Sequence, residues 1–271
     1  WARIKRRSLD NSVQLISFAL TIMLLLVVLV MRNDIVQQWR DQLPQGTANY
    51  FLANVTQEQR PKLVEHFAKN GIETDGLYPV SRGRFVKVND ELIRTDITKE
   101  DEDTTNETRR GLGREANLTW DTVLQSGNEI IAGQWHDQWT PQNSTLPEGV
   151  FPVSIEERVG DRMRIGMGDE LTFNIGSEIV TVQVTSVRTV NWQTMQPNFF
   201  FVLHPEAMSQ FRASYITSFY LPPERKPELT KLMAPFASVT MFDVDARINQ
   251  VRSIIDQVSA AIEFILVLVL V

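Results

Sequence analysis

Three histidines, His66, His136 and His204, are the side chains best suited to proton transfer or metal ligation. No two of them stand at the i, i+4 spacing that turns both toward one ion on a helix face. The chain contains no cysteine, which removes thiolate nucleophiles, thiolate metal sites and a disulfide scaffold together. No G-x-x-x-x-G-K-[ST] loop is present to cradle a nucleotide phosphate, and no G-x-S-x-G turn to expose a serine nucleophile. Gly111-x-Gly113 and Gly166-x-Gly168 lack the further glycine and flanking elements of a dinucleotide site, so both read as turns. These exclusions predict a chain with no catalytic residue, no cofactor and no metal, and therefore not an enzyme.

The remaining candidates for contact chemistry are aromatic. Trp135 and Trp139 lie in the segment Gly133-Gln134-Trp135-His136-Asp137-Gln138-Trp139. An indole usually packs with its N–H satisfied, which would bury the pair between two lobes; exposed, the pair would form an apolar contact for a lipid-like substrate. Phe199-Phe200-Phe201 reads as a buried strand, and further strands are expected at Ile130–Trp135 and Asn198–Leu203. Asn54, Asn106, Asn117 and Asn143 each begin an N-x-[ST] sequon, which matters only in a glycosylating secretory pathway.

The elements that position these residues begin with the membrane. Residues 13–31 carry no charge, and about 19 residues at 1.5 Å rise approach the roughly 30 Å thickness of a bilayer core. Arg32-Asn33-Asp34 follows in place of a small-residue cleavage site, so the segment reads as an uncleaved transmembrane helix. Arg3, Lys5, Arg6 and Arg7 against Asp10 make residues 1–12 a basic cytoplasmic stub, and the positive-inside bias puts the chain after Met31 outside. Residues 258–271 are equally apolar and read as the start of a second, truncated transmembrane helix, with Glu263 near the headgroups. The formal charge of −6 and the absence of a basic face exclude a nucleic-acid platform.

Apolar residues at Val244, Ile248, Val251, Ile255, Val258 and Ile262 alternate steps of four and three, the spacing of one helical stripe. No Gly or Pro interrupts residues 243–271, and Asp243 or Asp245 can cap the start. Ile35, Val36, Trp39 and Leu43 continue an apolar face beyond the first span until Pro44 and Gly46. Ile35, Trp39, Ile248, Val251 and Ile255 are thus the candidate residues of a stalk (residues 32–47 and 243–257) able to carry rigid-body movement. Ordinary amphipathic helices capping the soluble body account for the same spacing.

Between the stalks the pattern strand, helix, strand occurs twice. Glu58, Pro61 and Leu63 recur as Glu224, Pro227 and Leu229 at a constant offset of 166, on the same strand-to-helix junction where Pro suits a first helical turn. Duplication and chance both produce a three-residue match. Two βαβ units split by an insertion give an α+β fold, residues 48–94 and 206–242 forming one lobe around an inserted β-rich lobe at 112–205. Leu171–Ile175 and Glu178–Val182 read as a hairpin on a type II′ Gly176-Ser177 turn, pairing Phe173 with Val180, Leu171 with Val182 and Thr172 with Thr181. Residues 95–111 form an acidic, aperiodic loop, solvated or serving as a binding surface.

Arg3-Ile4-Lys5-Arg6-Arg7, the stretch from Trp39 to Pro44, and Asn191-Trp192 through Pro197-Asn198-Phe199-Phe200-Phe201 to Tyr215–Pro222 together resemble the large YbbP-type permeases of ABC transporters. These permeases share a superfamily with MacB, FtsX and the lipoprotein-releasing LolC and LolE proteins. Ser154-Ile155-Glu156-Glu157 and Gly168-Asp169 also look like that superfamily's periplasmic domain, and the resemblance covers nearly the whole chain. It implies a split porter-like lobe with an inserted β-rich lobe, flanked by two transmembrane helices in the bacterial inner membrane, with residues 32–257 periplasmic. It also implies a separate cytoplasmic ABC ATPase partner and mechanical handling of a hydrophobic or lipidated envelope substrate. The alternative from the residues alone is the ligand-sensing ectodomain of a membrane signalling receptor, which also sits between two spans.

Overall fold

The computed structural model describes residues 46–89, 91–92 and 115–270, together with Ser12, Ile16, residues 18–24, Leu26, Val27 and Val30. The acidic loop at 95–111 and the stalk positions Ile35 and Trp39 lie outside the described residues, as does much of the expected first span. Two compact units divide the chain, one made of Gly46–Phe242 and the other of Trp1–Gln45 with Asp243–Val271.

In the first unit, β1 (Tyr50–Thr56), α1 (Gln59–Lys69) and β2 (Tyr78–Val88) form one strand-helix-strand module, and β10 (Ser214–Phe219), α3 (Leu229–Met233) and β11 (Thr240–Asp243) form the other. The local reasons are plain for α1. Thr56 and Gln59 exchange hydrogen bonds in a capping box, and Gly71 at φ 64° breaks the chain out of the helix. Leu63 and Phe67 on one face bury against Tyr50, Leu52 and Val55 of β1. Strand order β11-β1-β10-β2 with this connectivity is that of a ferredoxin-like plait split between its second and third strands.

The offset of 166 recurs in space. His66 Nε2 bonds the carbonyl of Leu232, its counterpart at that offset, 3.0 Å away. The ladder pairs Phe51 with Ser218 and Leu52 with Thr217, and Thr217 and Ser218 are in turn the counterparts of Phe51 and Leu52. Both contacts place equivalent positions of the two modules against each other across one pseudo-two-fold axis, the symmetry inherent in a plait of two strand-helix-strand modules. Leu63 and Leu229 of the repeated motif both enter the plait core.

The insertion closes into a ring through β2. It contains β4 (Glu115–Trp120), β5 (Asn128–Gly133), β6 (Val150–Glu156), α2 (Glu157–Met163), β7 (Glu170–Ile175), β8 (Glu178–Val190) and β9 (Phe201–Leu203), while β3 is the short pair Glu91–Leu92. Strand β2 pairs with β4 and β7, β7 with β8, β8 with β6, β6 with β9, and β9 with β4. The ring β2-β4-β9-β6-β8-β7 is therefore a six-stranded barrel, and β5 extends it from β8. Its interior is packed with Phe85, Phe173 and Phe201, whose ring centroids lie 5.0–6.0 Å apart, and with Leu118, Ile155 and Val182. The β7–β8 hairpin adopts the expected register at all three predicted pairs.

One strand belongs to both bodies. Tyr78–Val80 of β2 pair with β10 in the plait, Val80–Arg84 with β4, and Arg84–Val88 with β7 in the barrel. Plait and barrel share a continuous backbone ladder instead of a flexible linker.

In the second unit, α4 (Val244–Leu270) runs 27 residues, about 40 Å at 1.5 Å per residue. Asp243 Oδ1 accepts from the Ala246 N–H at 2.8 Å and caps it. The described positions between Ser12 and Val30 are helical, with Ile16, Leu20 and Leu26 more than half exposed. Among the described residues no helix is long and apolar enough to cross a membrane.

Candidate functional site

Of the stalk residues that can be described, Ile248 is half-buried while Val251 and Ile255 are exposed. The covered side of α4 holds Ile248, Arg252, Asp256 and Ser259, the last 9% exposed. Positions 248, 252, 256 and 259 share one face by helical geometry, and Val251, Ile254, Val258, Ile262 and Ile265 are exposed.

Trp135 and Trp139 meet in one aromatic cluster on the barrel. Trp135 stacks on His136 at 4.2 Å, and Trp139 stands edge-on to His204 at 4.8 Å and to Phe151 at 6.0 Å; the two histidine rings are 5.7 Å apart. Both indoles are half-buried with their N–H groups donated, Trp135 to the Thr122 carbonyl at 2.7 Å and Trp139 to Ser144 Oγ at 3.0 Å. His136 is buried; its Nε2 bonds the Asp121 carbonyl, which makes Nε2 the protonated nitrogen, and its Nδ1 has no partner among the described residues. Burial pulls its pKa down to about 4, and the nearby His204 and Arg188 act in the same direction. Burial also lowers His204, whose Nδ1 accepts from the Glu206 N–H.

A second cluster was not foreseen from the sequence. Arg188 on β8 is fully buried and donates Nε to Asn128 Oδ1 at 3.0 Å, Nη1 to the Ser154 carbonyl at 2.8 Å, and Nη2 to the Phe199 carbonyl. Burial draws the guanidinium down to about 10, Glu156 opposes the shift, and the group stays cationic at neutral pH. Around it, Asn128 Nδ2 bonds Asn198 Oδ1, Asn198 Nδ2 bonds the Asn191 carbonyl, and the Asn191 N–H bonds the Gly127 carbonyl. Gln196 Nε2 reaches Asp75 Oδ1 in the plait, and Asp75 Oδ2 accepts from Ser218 Oγ at 2.7 Å. Residues 191–200 are thus pinned to barrel and plait together, with Trp192 and Phe200 40% and 43% exposed and their rings 5.2 Å apart. One signal was legible: Arg188 continues the inward parity of Val180, Val182 and Val184, where a charge needs a reason.

No family model matches the chain. Over 268 residues it is 34% identical to the uncharacterized ABC transporter permease YbbP of Escherichia coli, a match spanning 99% of this chain. The chain resembles an ABC transporter permease. It spans 30% of the length of YbbP, and the aligned region includes the Asn191–Phe200 loop, the plait and the helices of the second unit. A solved domain from Porphyromonas gingivalis, from a protein provisionally described as a permease, covers 74% of this chain and 89% of its own at 11% identity. Its TM-score of 0.32 is too low to establish a shared fold.

Proposed function

We propose that the chain is the periplasmic domain, with flanking membrane helices, of the permease subunit of an ABC transporter in a bacterial inner membrane. A separate cytoplasmic ABC ATPase drives helix movement, and the domain turns that movement into export or extraction of a hydrophobic or lipidated envelope substrate. The observation that carries this reading is the 34% identity to YbbP across 99% of the chain. The same similarity favours a permease over a sensing receptor.

The physical features agree with a mechanical role. Exposed Val251, Ile254, Val258, Ile262 and Ile265 lie along one side of α4. Helix α4 follows β11 with no intervening residue, so a displacement of the helix acts directly on a strand of the plait.

The test is the full-length permease purified with its ATPase. ATP hydrolysis is expected to alter the environment of a fluorophore on the barrel, and replacing Val251 and Arg252 by glycine is expected to abolish that response while leaving the two subunits bound. A permease that purifies without any ATPase contradicts the assignment; an unaltered response in the glycine pair contradicts the stalk.

A further inference from the structure

We propose that ordered water fills a buried polar site between Gln125, His136 and strand β8 and acts as the shared hydrogen-bond partner of all three. Gln125, His136 and Ser186 are 6%, 2% and 0% exposed. Gln125 Nε2 and Oε1, His136 Nδ1 and Ser186 Oγ nevertheless have no hydrogen-bond partner among the described residues. Buried side-chain polar atoms in folded proteins are satisfied by protein or by ordered water in the large majority of cases, and one left without either costs a few kcal/mol, about 1–3 by mutational measures. Four such atoms in neighbouring residues therefore point to a bound ligand.

Strand register brings the three side chains together. Ser186 stands between Ser154 of β6 and Gly133 of β5, and Arg188 Nη1 lies 3.4 Å from Ser154 Oγ, so Ser154, Ser186 and Arg188 share one face of the sheet. His136 opens the 3-10 turn that packs on β6, three residues beyond Gly133. Gln125 lies between Asp121, whose carbonyl holds His136 Nε2 at 2.9 Å, and Asn128, whose Oδ1 holds Arg188 Nε at 3.0 Å. The donors and acceptors name the ligand. With Nε2 protonated, His136 Nδ1 only accepts; the Gln125 amide has one donating and one accepting end, and Ser186 Oγ does either. A metal ion cannot accept a bond from the amide N–H, and a bare anion cannot donate one to Nδ1. Water does both. Because the two ends of the amide point apart, about two water molecules are needed.

A high-resolution crystal structure of the full chain in detergent is the test. Solvent density is expected within about 3.2 Å of His136 Nδ1 and of Gln125 or Ser186 Oγ. Water oxygen-17 relaxation dispersion on the same preparation is expected to detect long-lived internal water, and Gln125→Leu, which removes both amide atoms at similar volume, to lose at least one such molecule. Direct bonds among Gln125, His136 and Ser186 with no solvent between them, density of a metal ion or an organic molecule, or an unchanged number of long-lived waters in Gln125→Leu would each overturn the proposal. Where the variant fails to fold, the density in the parent decides alone.

Discussion

With Nε2–H donated to the Asp121 carbonyl and Nδ1 buried without a partner among the described residues, His136 takes a second proton by placing charge in the stack against Trp135. The unfolded chain binds that proton near pH 6.5 and the folded chain near 4, so the folded state is favoured above 6.5. This contribution, roughly 3 kcal/mol, is lost as the pH falls through about 4. His204 is shifted in the same direction and adds to the slope. Urea unfolding is expected to show stability declining across this window, and His136→Phe to flatten the decline; an equal slope in the variant would contradict the assignment. The tryptophans flanking these histidines were legible as an aromatic pair, whereas their histidine partners were not, because His204 lies 65 positions beyond Trp139 and only barrel closure brings them together.

At the scale of elements, Arg188 joins strand to loop. Replacing it with methionine keeps volume and removes every donor, leaving the carbonyls of Ser154 and Phe199 and Asn128 Oδ1 unpaired. A loss of about 3–5 kcal/mol is expected in equilibrium unfolding, together with loss of the near-ultraviolet circular dichroism contributed by Trp192. Stability within 1 kcal/mol of the parent would show that the guanidinium does not hold the loop. Elements defined by local pattern were readable: the hairpin register followed from alternation and a two-residue turn, and α4 from its period and the Asp243 cap. Strands β5 and β9 were placed only approximately. The expected Ile130–Trp135 is Asn128–Gly133, because Gly133 at φ 77° turns the chain; a Cβ there would meet the Thr185 carbonyl oxygen. The expected strand over 198–203 shortens to Phe201–Leu203 because Asn198 and the Phe199 carbonyl serve the Arg188 network.

For the whole molecule, the two strand-helix-strand modules were visible as three residues at one offset, and contacts between equivalent positions relate them by a pseudo-two-fold axis. Barrel closure was not visible, since the β2–β7 and β4–β9 pairings join segments more than 80 residues apart and leave no periodic trace. On the proposed reading, a push on the plait would reach the barrel through the shared β2, with no linker between them. That mechanical economy has meaning only if the body is anchored in a membrane with its folded part outside. The chain has no cysteine, so a single one introduced by Glu178→Cys on the barrel or Ala2→Cys in the basic N-terminal segment can be probed in intact cells with a membrane-impermeant maleimide. The account predicts labelling at 178 from outside and at 2 only after the inner membrane is opened; labelling of both from one side, or protection of 178, would contradict it.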